Sequence, residues 1–230
     1  MLNVLRGHPV FRPIARRLFV LSIFVACCFV LPQVIRTIQK RGKPPQPVDS
    51  RALSATTMLL CQQLDTVFTE ITAIARKTTS PLTPETTKLL LANMRFDEQF
   101  LVATRGMESY KFERAITHGR LGQTARLMGN LEKAAGEFEA AARLFKTLVN
   151  DSPPMNDHYR ELIFAYVDVA GCHMANQRPD QAVEAMRLAL SVMRSPQLEL
   201  DSELEKMQSS LLQRVEQLSL NSAVHTGSAQ

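Results

Sequence analysis

Apolar residues follow three regimes along this chain. Residues 18–35, LFVLSIFVACCFVLPQVI, form one run with no charge and only Ser22 and Gln33 as clearly polar groups. From about Ser50 onward apolar positions recur at steps of three and four, the period of one helix face, and no segment alternates as a half-buried strand would. From Asn221 to Gln230 the residues are small and polar, which predicts a disordered tail.

Helix breakers divide the long central part. A first helix is expected over 51–77, with Leu60, Leu64, Val67, Ile71 and Ile74 on one narrow stripe. Thr83 followed by Pro84 starts a second, because the hydroxyl caps free amides while proline loses nothing in the first turn. Arg105-Gly106 closes it. A third helix, 107–128, ends at Gly129-Asn130, and a fourth, 131–150, at Asp151-Ser152-Pro153-Pro154. A fifth covers 157–175, the turn Asn176-Gln177-Arg178 follows, and Pro179 opens a sixth that ends near Arg194. Ser195-Pro196 is read as the start of a last helix, 196–220, lying as a cap over the end of the stack. The expected fold class is all-α.

Within this series one pattern occurs twice, 48 residues apart. Leu121-Gly122, Ala125, Ala134, Phe138 and Ala141 return as Val169-Ala170, His173, Ala182, Met186 and Ala189. Small residues at fixed offsets on two consecutive helices let backbones approach closely, which is the mark of stacked helical hairpins.

Charge changes the picture at one end only. The chain carries 27 cationic and 22 acidic side chains, a net +5. Residues 1–44 hold Arg6, Arg12, Arg16, Arg17, Arg36, Lys40, Arg41 and Lys43 with no acid, which leaves a mildly acidic body and argues against a nucleic-acid partner. These cations bracket the 18–35 run. Its length meets the criterion for a membrane span, and its 12 Leu, Ile, Val and Phe residues favour insertion by about 4 to 7 kcal/mol. A cleaved signal peptide is the competing reading, although Leu31-Pro32-Gln33-Val34 offers no small-x-small cleavage site. Phe24-Val25-Ala26-Cys27 faintly resembles a lipoprotein site, and Ala15-Arg16-Arg17-Leu18-Phe19-Val20 a twin-arginine export signal. The expectation is a basic segment 1–17, a transmembrane helix 18–35 and a basic, proline-rich linker 36–50. Four cations on each flank leave the sidedness of the helical body open.

The hairpins over 107–154 and 155–195 resemble tetratricopeptide repeats (TPR). In that family a Leu-Gly or similar small pair marks the first helix, and Ala, a large apolar residue and a second Ala follow on the next. Leu121-Gly122, Ala134, Phe138 and Ala141 meet the pattern, as do Val169-Ala170, Ala182, Met186 and Ala189. The chain departs from it in having His118 at the early aromatic position of the first unit, and Lys146 and Arg194 where the family closes on Pro. The 48-residue interval also exceeds the usual 34, so the likeness is to extended-repeat variants. Segment 51–106 matches at neither spacing and is read as a helical hairpin of no assigned type.

The resemblance implies an α-solenoid whose first helices line a concave groove for a protein or peptide partner. Carried onto this chain, the groove residues are Arg120, Gln123, Arg126, Phe164 and Asp168, with Ile116, Val167 and Met174 beside them. Arg120 and Arg126 together would suit a carboxylate.

Catalytic signatures are absent. No phosphate loop, nucleophile elbow or zinc-protease motif occurs, and His8, His118, His158, His173 and His225 are isolated. Cys27, Cys28, Cys61 and Cys172 have no metal-ligand spacing. The expectation is no enzyme, no cofactor and no metal. The sequence is read as a single-pass scaffold or adaptor of a bacterial inner membrane, contacting the bilayer through 18–35 and a protein partner at the same membrane. The competing reading is a homo-oligomeric, membrane-tethered spacer without a peptide client.

Overall fold

The computed structural model describes residues 68–69, 82–151 and 155–227, with side chains through residue 220. The expected segments 1–17, 18–35 and 36–50, and most of helix 51–77, lie outside the described residues. Two compact units divide the chain between residues 71 and 72, and the description below concerns the second. Among the described residues no helix is long and apolar enough to cross a membrane, and none of them forms a strand.

Six α-helices follow one another: α1 (Pro84–Ala103), α2 (Lys111–Leu127), α3 (Leu131–Asp151), α4 (Asn156–Ala175), α5 (Pro179–Met193) and α6 (Ser202–Gly227). Their starts have local causes. Thr83 Oγ1 accepts from the Thr86 amide at 3.2 Å, with Pro84 in the first turn of α1. Asn130 Oδ1 accepts from the Lys133 amide at 3.1 Å at the start of α3. Before α2 stands a 3-10 turn, Glu108–Tyr110, which shortens the helix expected from residue 107. It is held by a 2.6 Å ion pair from Lys111 to Glu108 and by the Tyr110 ring, edge-on to Phe100.

The 48-residue interval reappears in the backbone. At the α2–α3 corner the Gly129 amide donates to Arg126 O (3.0 Å) and the Asn130 amide to Ala125 O (2.9 Å). At the α4–α5 corner Gln177 donates to Met174 O (3.1 Å) and Arg178 to His173 O (2.9 Å). Both are the paired closure that ends a helix on a left-handed residue, Gly129 at φ 78 and Gln177 at φ 58.

Each helix packs on its neighbours in sequence and reaches side chains of the next but one. Lys133 on α3 binds Glu98 on α1, Arg126 on α2 binds Asp168 on α4, Arg178 at the head of α5 binds Glu132 on α3, and Arg160 on α4 binds Asp201 and Glu203 at the head of α6. Odd helices thus form one layer and even helices the other. All positions of the doubled pattern are buried, from Leu121-Gly122 to Ala189. Burial of each large member stabilises the stack by roughly 1.5 to 3 kcal/mol.

The last helix differs from expectation at both ends. It starts at Ser202, not 196, because Asp201 accepts from the amides of Glu203 (3.1 Å) and Leu204 (2.9 Å) and so caps a new helix after an irregular stretch. It runs to Gly227, past the boundary drawn at Asn221, since no strong helix breaker intervenes before that glycine. Leu204 and Leu211 are buried on the stack, and most of the opposite face is polar and exposed.

Candidate functional site

The five residues expected to line a concave groove are not one surface. Arg120 is a correction: its side chain is only 5% exposed, and its Nη2 donates to Asp97 Oδ1 at 2.7 Å, with Asp97 fully buried on α1. Arg120 Nε and Asn93 Nδ2 each donate to Asp97 Oδ2 at 3.3 Å, and Arg120 Nη2 also donates to Thr117 Oγ1. Six residues along a helix turn the direction by about 120°, so Arg120 and Arg126 diverge instead of sharing a wall. Arg126 Nη1 donates to Asp168 Oδ1 at 2.6 Å, and its guanidinium lies 5.6 Å from the centroid of the Phe138 ring. Both expected carboxylate binders therefore already hold carboxylates of this chain. Gln123 is half-buried on α2. Phe164 is half-buried beneath the Arg160 guanidinium, and Ile116, Val167 and Met174 pack onto the core.

An open groove of about 410 Å³ lies instead between α3 and α5, with α4 as its floor. Its layout follows from helix register. Neighbouring helices run antiparallel, and His173 Nε2 stands 3.9 Å from Glu139 Oε1, so these residues share the lower level with Gln181. One turn on, Arg143 and Glu184 flank Val169, with Ala142 and Ala185 leaving room above it. Two turns on, Lys146 and Leu188 flank Tyr166. Parallel neighbours make the two rims, as the Arg178–Glu132 pair between the heads of α5 and α3 requires.

The floor is partly desolvated. Burial pushes the Tyr166 phenol above its ordinary value of 10.0, and no hydrogen bond ties its hydroxyl to a described residue. His173 is 9% exposed, and its Nδ1 has no hydrogen-bond partner among the described residues. Below the floor, burial raises the Cys172 thiol, while Arg126 opposes that shift, so the thiol stays protonated and unreactive. Among the described residues no cluster of His, Cys, Asp or Glu could hold a metal ion.

Sequence pattern marks Val169 and His173 as repeat positions but gives no reason to group them with Tyr166, Arg143, Glu184 or Leu188. The missing signal was the layer order, which places the next-but-one helix beside each rim. Comparison of the chain with family models, with curated proteins and with solved structures gives no match.

Proposed function

We propose that this chain is a TPR-like adaptor, tethered to a bacterial inner membrane through residues 18–35, that holds a protein partner in the α3–α5 groove and performs no chemistry of its own. The observation that carries this reading is the groove itself: a floor of Tyr166, Val169 and His173 between two rims that differ in charge, built on a stack whose helices pack chiefly on near neighbours. The groove lies between the second helices of the two hairpins, α3 and α5, and not on the first-helix face that the resemblance implies, while the repeated corner and the buried small-residue pattern support the resemblance itself. Tethering would raise the effective concentration of partners in the same membrane, so a modest groove affinity is useful.

A photo-crosslinking amino acid at Leu188, compared with one at Ser219 on the outer face of α6, tests the reading in the full chain. A stoichiometric adduct with a second protein from position 188 only is the expected outcome. An obligate oligomer in sedimentation, with adducts only between copies of the chain, replaces the adaptor with the self-associating spacer. Proximity labelling from a C-terminal tag reports the side of the membrane in the same cells.

A further inference from the structure

The rims of the groove differ in charge, and the difference selects what fits. On the α3 rim Arg143 and Lys146 occupy the middle and upper levels. On the α5 rim the middle level holds Glu184 and the upper level Leu188, which is 41% exposed. Among the described residues Lys146 and Glu184 have no ion-pair partner, and Arg143 comes no closer than 3.9 Å to Glu139, one turn below. A uniformly acidic occupant would set carboxylates against Glu184. A uniformly basic one would set cations against Arg143 and Lys146. Either repels one rim, whereas an occupant with one acidic and one basic flank satisfies both.

Backbone hydrogen bonding decides the conformation of that occupant. Both rims and the floor are helix interiors, whose amides and carbonyls are already paired, so none is offered to an extended strand. A strand lying here would bury its own polar backbone without partners, while a helix satisfies its backbone internally. From Gln181 to Leu188 the groove spans two helical turns, about 10 Å.

We infer that the groove takes an amphipathic helix of a protein partner, apolar on the stripe facing Val169 and Tyr166, acidic on the flank beside Arg143 and Lys146, and basic on the flank beside Glu184. The inference rests on the adaptor reading and names the kind of segment the adaptor holds. Ala142 and Ala185, small residues on the two rim helices, leave the room into which apolar side chains of that helix descend, and Leu188 adds apolar surface one turn on along α5.

Three synthetic helical peptides with one leucine stripe test it: one with a glutamate flank and a lysine flank, one with glutamate on both, one with lysine on both. Each is titrated by fluorescence anisotropy at low salt against the full chain in mild detergent. The mixed-flank peptide is expected to bind about tenfold tighter than the others, and the double variant Arg143→Glu, Lys146→Glu to transfer that preference to the all-lysine peptide. Both substituted side chains are exposed, and circular dichroism verifies that the variant keeps its helices. Equal binding of all three peptides, no binding, or a preference unchanged in the variant overturns the inference. With that outcome, a protein adduct from position 188 leaves the adaptor reading standing, and its absence removes both.

Discussion

The ring of Phe138 fills the space a side chain at Gly122 would need: a β-carbon there would lie 2.8 Å from Phe138 Cδ1 and Cε1. The contact joins α2 to α3 at the centre of the first hairpin, and Phe138 is fully buried. Alanine at position 122 gains about 1 kcal/mol of helix propensity but must displace a packed aromatic ring. Gly122→Ala is therefore expected to destabilise by about 1 to 3 kcal/mol in urea unfolding, and Phe138→Leu to relieve much of the added cost. Gly136, in the same hairpin with nothing within 4 Å of its would-be side chain, is the control. There the alanine substitution is expected to stabilise by roughly 0.5 to 1 kcal/mol; destabilisation at both sites would show that the notch is not what distinguishes Gly122.

Arg120 and Asp97 make a second prediction. Removing one partner strands a buried charge, so Asp97→Ala and Arg120→Ala are each expected to cost about 3 to 5 kcal/mol, while the pair Asp97→Leu, Arg120→Met costs less than either. Denaturant midpoints of the three variants check it. A neutral Arg120→Ala would return that guanidinium to the solvent.

What the sequence reveals follows the range of the forces involved. Thr83-Pro84, Gly129-Asn130 and Pro179 act on their own few neighbours, and the helices begin or end beside them. The doubled small-residue pattern is also local to one hairpin, and its positions are buried as periodicity requires. Arg120 is not legible in this way, because its partner is 23 residues away on a helix that matches no repeat spacing. The start of α6 differs from expectation because Ser195-Pro196 reads like a helix opening, whereas Asp201 supplies the actual cap. The groove, made by helices two apart, needed the layer order that spacing alone does not supply.

Asp201 makes a pH prediction. Amide hydrogen bonds, from Leu204 foremost, and the Arg160 guanidinium hold its carboxyl below its ordinary value of 3.8. A depressed folded-state value means the contribution is fully present above that ordinary value and disappears as pH falls through the lowered one. The stability difference between the native chain and Asp201→Asn is thus expected to be constant near neutrality and to vanish in acid below 3.8. Thermal melts across that range decide it, and a difference that grows on acidification contradicts the cap.

The two corners make a reciprocal prediction. Gln177 occupies the left-handed conformation that Gly129 occupies 48 residues earlier. Gln177→Gly is expected to stabilise by about 1 kcal/mol and Gly129→Ala to cost a similar amount, because a β-carbon crowds the carbonyl only in that conformation. Thermal unfolding of the two single variants measures both signs.

Contacts that stop at the second neighbour give the stack a mechanical character. Tension applied between the two ends of the stack would pass through thin interfaces in series, with no long-range cross-tie among the described helices to share it. The body would lengthen elastically under small loads and yield from an end under large ones. Release of α6, clamped chiefly by Arg160 and two buried leucines, would precede any rupture of the inner hairpins.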